Sequence, residues 1–262
     1  MPLSIACHQL SFSVSKEQNR RRILQVLEGS QTQLDIFPEY AMGLPPSGLS
    51  KDFVEENAEP LGGRFVTSIL EQTEQRGSSV VFTTFLREDD AVYNAAVFAD
   101  QGRVRGLYRK IHLFDAYGYR ESELFTAGDQ LELLDFRGFK VGLAVCFDLR
   151  FPELFRSLAY RGADLFIVPS AWYQGEHKLE QWRILTRARA HENTAYLMAV
   201  DQARPCFLGH SLVASPLAEV IHEAGEDQVS FTLSLDREQL EEDRKLLPIL
   251  QLARPDLYRK LV

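Results

Sequence analysis

A cysteine, a carboxylate and a lysine stand in this sequence where they can do covalent chemistry together. Cys146 closes the apolar run Val141-Gly142-Leu143-Ala144-Val145, and Pro152 with Glu153 opens a helix a few residues later. A cysteine between a strand end and a helix N-terminus can feel the positive end of the helix dipole, which favours the nucleophilic thiolate. Read alone, Cys146 fits more readily as a small buried hydrophobe continuing its strand. The polar residues that follow, Asp148 and Arg150, mark the mouth of a sheet, where α/β proteins bind ligands.

Glu39 follows Phe37-Pro38 at the end of a short apolar run. A carboxylate at that lip is positioned to lose water, which raises its pKa toward that of a useful base. Lys110, in Tyr108-Arg109-Lys110-Ile111-His112, ends a strand and can supply fixed positive charge to a developing oxyanion. Glu121, in Arg120-Glu121-Ser122-Glu123, is a loop carboxylate able to hold such a lysine or the substrate. Each has a plain alternative as a solvated loop or strand-end charge. No histidine lies near Cys146 in sequence, so a Cys–His pair is only the second choice for the base.

A frame must bring these residues together. Residues 3–9, 34–37 and 79–85 read as strands, with helices over 15–27 and 63–76 between them. Residues 91–98 and 103–108 flank Asp100-Gln101-Gly102 as a hairpin. Residues 131–136 and the apolar run 139–146 are further strands, the second buried on both faces. Then come a helix over 152–161, a strand over 165–168, an amphipathic helix over 178–192 and a strand over 195–200. The last third holds strands near 211–215 and 229–235, a polar helix from Asp236 and a tail. Residues 111–128 show no period, and structureless stretches of this length are usually functional. Hairpins interleaved with strand–helix alternation predict α/β layers around a mixed sheet system.

Composition sets the class. With 45% hydrophobic and 25% charged residues among 262, the chain is globular and large enough to fold without staples. A net charge of −8 argues against a nucleic-acid partner, and Arg20-Arg21-Arg22 reads as the wet face of a helix. There is neither a leader pattern nor an apolar run of about 20 residues, so no secretion or membrane span is expected, and the cytoplasm is the default location. Cys7, Cys146 and Cys206 are odd in number and lack C-x-x-C spacing, which argues against a disulfide framework or zinc knuckle. No repeat or linker interrupts the chain, which reads as one domain over 1–262, its core ending near 246.

Taken together, Phe37-Pro38-Glu39-Tyr40, Tyr108-Arg109-Lys110-Ile111-His112-Leu113-Phe114 and Val145-Cys146-Phe147-Asp148-Leu149-Arg150-Phe151-Pro152-Glu153 resemble the three signature blocks of the nitrilase superfamily. Pro169-Ser170-Ala171-Trp172 and Arg187-Ala188-Arg189-Ala190-His191-Glu192-Asn193 extend the resemblance, which covers residues 3–235. It implies a four-layer αββα sandwich that pairs with a second subunit through helices on one face. It also implies Glu39 as general base, Lys110 as the oxyanion-stabilising cation, Cys146 as nucleophile and the backbone N–H of Phe147 as a second oxyanion donor. The family's second glutamate falls on Glu121, with Glu123 the lesser candidate. No metal or organic cofactor enters such a reaction.

Nitrilases proper resemble Cys-Trp-Glu at the nucleophile, whereas Phe147-Asp148 and the short C-terminus here look like the amidase branches, omega-amidase and deaminated-glutathione amidase among them. The expected reaction is therefore hydrolysis of a small carboxamide, in particular a monoamide of a dicarboxylic acid. Nitriles and N-carbamoyl compounds are the alternative substrates. A catalytically silent binding member is the alternative of another class. Trp172 reads either as a pocket wall or as a buried anchor, and the polar loop 173–177 is expected to border the pocket.

Overall fold

The computed structural model describes residues 2–258. In chain order its main elements are β1 (Leu3–Gln9), α1 (Lys16–Gly29), β2 (Leu34–Ile36), α2 (Lys51–Asn57), α3 (Arg64–Arg76), β3 (Ser79–Glu88), β4 (Ala91–Asp100) and β5 (Arg103–Arg109). They continue with β6 (Glu132–Phe136), β7 (Phe139–Leu143), α4 (Pro152–Tyr160), β8 (Leu165–Ser170), α5 (Lys178–His191), β9 (Tyr196–Asp201), β10 (Leu212–Ala214), β11 (Val220–Glu223), β12 (Val229–Leu235) and α6 (Arg237–Leu246). Two short helices, α7 (Ile249–Leu252) and α8 (Pro255–Tyr258), follow where the sequence suggested only a tail. Two six-stranded sheets result, in the orders β12-β1-β2-β3-β4-β5 and β11-β10-β9-β8-β7-β6.

Strand alternation explains the layering. In β3, Val81 points into the core between the sheets, while Val80 and Phe82 point the other way, onto α1 and α3 through Ile23, Leu27, Phe65 and Ile69. On the second sheet, Phe155 and Leu158 of α4 and Trp182 of α5 cover the outer face. The architecture is the αββα sandwich that the resemblance implied. Trp182 is fully buried and donates its indole N–H to the His210 carbonyl at 2.7 Å. Truncating it to alanine would cost about 3–5 kcal/mol and loosen the start of α5. Arg20 and Arg21 pair with Glu17 at 2.7 and 2.9 Å, and Arg22 donates to the Ser11 carbonyl at 2.9 Å, so all three arginines serve local structure.

The hairpin β4–β5 turns through Gln101 and Gly102, both at positive φ (48° and 81°), the geometry favoured by two-residue hairpin turns. The apolar run 139–146 is not one strand. The strand ends at Leu143, and Cys146–Arg150 forms a 3-10 turn whose first residue, Cys146, lies six residues before the α4 start at Pro152. Ala144 still donates its N–H to the Ile167 carbonyl at 3.1 Å, and both Ala144 and Val145 stay buried in the core beyond the strand end, which is why the run looked uniform. None of the described helices is long and apolar enough to cross a membrane.

Candidate active site

Glu39, Lys110, Glu121 and Cys146 come from four separate segments and meet where the two sheets open. The Glu39 backbone is tied across the sandwich: its N–H donates to the Ser170 carbonyl at 3.1 Å, and its own carbonyl accepts Gln202 Nε2 at 2.9 Å. Tyr40, the next residue, holds φ +60°, and Cys146 holds φ +47°. Side-chain-bearing residues rarely adopt this region, and it persists only where surrounding contacts impose it. Lys110 is pinned at both ends of the long loop. Its N–H donates to the Asn94 carbonyl, and its carbonyl accepts the N–H of Gly128, both at 2.9 Å. Only glycine fits at 128, since a Cβ there would stand 2.2 Å from the Arg109 carbonyl oxygen.

The Lys110 ammonium lies between the two carboxylates, 2.9 Å from Glu39 Oε1 and 2.8 Å from Glu121 Oε2. Asn94 adds a neutral bridge, donating Nδ2 to Glu39 Oε1 at 2.7 Å and to Glu121 Oε1 at 2.9 Å. Glu39 Oε2 accepts the Ala171 N–H at 3.0 Å, and Glu121 Oε2 that of Phe114 at 2.7 Å. All four side chains are sealed from water, at 1% exposure or less. Glu123, by contrast, is exposed and lies 3.9 Å from Arg120. The structure thus brings Glu121 to the cluster and leaves Glu123 in solvent.

Electrostatics follow from this packing. Burial pushes the Glu39 carboxyl above its usual range, opposed by Lys110 and Asn94 and aided by Glu121. Burial works against the Lys110 ammonium, but Glu121 and Glu39 outweigh it and hold its pKa well above the ordinary lysine value. Burial and the Glu39 charge push the Cys146 thiol up, only partly offset by Lys110 and the Ala171 N–H. The thiol therefore rests protonated, which corrects the thiolate expected from a helix dipole: α4 begins too late to supply one. Such a thiol needs a base at its side, and Glu39 is the raised carboxylate whose charge it feels.

Asp148 binds the cysteine turn to the lysine strand. This fully buried carboxylate accepts the Val145 N–H and the Tyr108 hydroxyl, each at 2.8 Å, and the His112 backbone N–H at 3.1 Å. The His112 ring, 2.7 Å from the same carboxylate, stacks on Phe151 at 3.7 Å. His112 is thus committed to Asp148, and no histidine lines the pocket at Cys146, which removes the Cys–His alternative.

A narrow cleft opens at Cys146, bounded by Tyr40, Lys110, Phe147, Trp172, Arg150 and Lys178 among others. It runs into a wider, solvent-open vestibule walled by Phe114, Tyr117, Tyr119 and the loop 173–177. Trp172 is both wall and anchor, since it borders the cleft and packs on Trp182 at 5.4 Å. Sequence reasoning missed Asn94. Its signal was a lone amide in the middle of the apolar strand β4. Lys178 was also missed as a pocket residue, since nothing local distinguishes it from a surface cation, whereas Arg150 borders the cleft at the sheet mouth where the sequence placed it. Among the described residues no cluster of His, Cys, Asp and Glu could hold a metal ion, and the position between the carboxylates is filled by the ammonium itself.

Comparison with known proteins points the same way as the geometry. Residues 4–245 match the carbon-nitrogen hydrolase family. Omega-amidase NIT2 of Homo sapiens is 31% identical over 97% of this chain and 96% of its own length. Deaminated glutathione amidase of Escherichia coli O157:H7 is 30% identical, with 76% and 77% covered. A solved mutant of the amidase from Nesterenkonia sp. AN1, bearing the acetamide moiety of fluoroacetamide on its active-site cysteine, superposes with a TM-score of 0.80 at 26% identity, covering 99% of this chain and 97% of that one.

Proposed function

This chain belongs to the carbon–nitrogen hydrolase family, and from that premise we propose that it hydrolyses small carboxamides to acid and ammonia through a thioester on Cys146. One observation carries the assignment of roles: a single buried ammonium, Lys110, is shared by Glu39 and Glu121 beside a strained, protonated cysteine. Glu39 takes the thiol proton as sulfur attacks the amide carbon. Lys110 and the N–H of Phe147 hold the oxyanion, while Glu121 keeps the ammonium in place. Glu39 then gives its proton to the departing nitrogen, and ammonia leaves behind a thioester. A water deprotonated by Glu39 attacks that thioester, and the acid and the free thiol are released.

The cleft favours a substrate with an acidic far end. Arg150 and Lys178 both border it, and neither has a carboxylate partner among the described residues. A monoamide of a dicarboxylic acid would supply one. An ammonia-release screen over succinamate-like monoamides, simple amides, carbamoyl amino acids and nitriles tests the reading, with intact-mass detection of the acyl-enzyme. Amides should lead, and Cys146→Ala should be inactive and unacylated. Nitriles turned over faster than every amide would overturn it.

A paired subunit is part of the same reading. Tyr160 on α4 and Ile184 on α5 are 45% and 63% exposed, large apolar side chains on the helices of one outer layer. A monomer by sedimentation at micromolar concentration would overturn this.

A further inference from the structure

We propose that Lys178 is the specificity-determining residue of this site, its ammonium binding the distal carboxylate of the amide substrate; the inference rests on the amide reading above and names what selects within it. Lys178 opens α5 and borders both the inner cleft at Cys146 and the outer vestibule. Only 8% of the residue is exposed. Its Nζ sits 3.7 Å from the Tyr117 ring centroid and 5.7 Å from those of Phe114 and Trp172. Ring faces steady a cation without neutralising it, so the charge stays available to an incoming anion.

Nothing else in the fold claims that charge. Among the described residues Lys178 has neither an acidic partner nor a side-chain hydrogen bond. Burial, opposed by Tyr117 and reinforced by Arg150, pulls its pKa below the ordinary lysine value, as expected for a cation kept from water without an anion. Arg150 is differently placed. It lies 4.7 Å from the Trp172 ring and 5.7 Å from that of Phe147, and it donates to Gln181 Oε1 at 2.8 Å. Arg150 keeps a buried Nε without a partner but is held by Gln181 through its terminal nitrogen, whereas no hydrogen bond holds the Lys178 ammonium on its rings. Of the two, Lys178 is the one that discriminates a charged far end from an apolar one.

The test is the ratio of kcat/KM for succinamate to that for butyramide, its methyl-ended analogue, in wild type, Lys178→Met and Lys178→Arg. Wild type should favour succinamate. Lys178→Met should lower the ratio about 10- to 100-fold, the range for a lost charge-assisted contact, with the loss in KM for succinamate rather than in kcat. Lys178→Arg should restore most of it. A Lys178→Met enzyme that keeps the wild-type ratio, whether both substrates slow in parallel or neither does, overturns the inference while the amide reading stands. A wild type with no preference for succinamate overturns it at the source, together with the acidic-substrate part of that reading.

Discussion

Lys110 Nζ lies 2.9 Å from Glu39 Oε1 in a cluster from which water is excluded. The pairing opposes the burial that pushes Glu39 upward, and burial wins. Since Glu39 must be ionised to take the thiol proton, activity is present above its raised pKa and lost as pH falls through it. The acid limb of kcat/KM should therefore lie above the ordinary carboxylate range. Lys110→Met removes the opposing charge, so the limb should move further up. The rate at its plateau should fall about 10²–10³-fold, the scale of a lost oxyanion donor. A pH–rate profile of both proteins checks this; an unmoved limb in Lys110→Met would contradict the coupling.

The protonated state of Cys146 gives a second expectation. Alkylation by iodoacetamide needs thiolate, and here Glu39 is the group that can generate it. Glu39→Gln removes both the base and the charge that pushes the thiol up; loss of the base should dominate and slow labelling of Cys146, followed by peptide mass spectrometry. Cys7, fully buried with its thiol pushed far up, should stay unlabelled in the folded protein, while exposed Cys206 labels by access alone. Equal labelling of Cys146 in wild type and Glu39→Gln would remove Glu39 as its base.

Glu121 and Glu123 separate cleanly by mutation. Glu121 accepts from Lys110, Asn94, Tyr40 and the Phe114 N–H, so it sets where the ammonium points. Glu121→Gln should lower kcat about 10²-fold, the cost of a small misplacement at a reacting centre. Glu123→Gln, on an exposed side chain, should change kcat less than twofold by the usual neutrality of surface sites. Steady-state kinetics of the two variants decide, and a larger loss from Glu123→Gln would reverse the assignment.

Much of this was readable in the sequence because strands and helices repeat their apolar residues with different periods. The hairpin turning through Gln101 and Gly102 and the helix α3 could be placed to within a residue or two of their ends. Two elements escaped for opposite reasons. The helix α2 is short and buries only Val54, so it has no face to count. The strand β11 is exposed or half-exposed along its length, so it lacks alternation. At the site, Glu39, Lys110 and Cys146 stand next to strand ends and carry local context. Lys178 does not: its cage of Phe114, Tyr117 and Trp172 is drawn from distant segments, and only the fold brings them to one point. The thiolate expectation failed because burial, which a sequence shows poorly, outweighed a helix dipole that a sequence shows well.

Asn94 gives the last prediction, since it is the partner no motif announced. Its amide nitrogen has two hydrogens and meets two carboxylate oxygens, at 2.7 Å on Glu39 and 2.9 Å on Glu121. Its Oδ1 is buried without a partner. A flipped amide would set that oxygen against both carboxylates, so the observed orientation is the one the charges require. Two buried carboxylates thus share one ammonium and one neutral donor, and the donor lowers the Glu39 pKa against burial. Asn94→Ala should raise that pKa and move the acid limb of kcat/KM upward, with a loss near neutral pH of about tenfold or more, the scale of a hydrogen bond to a charged group. Asn94→Asp should be worse, because a third carboxylate beside Lys110 forces one of the three to hold a proton. The pH profiles of the two variants, with melting temperatures to confirm folding, make the comparison. If Asn94→Ala lost activity with its acid limb unmoved, Asn94 would be a packing residue and not part of the proton balance at Glu39.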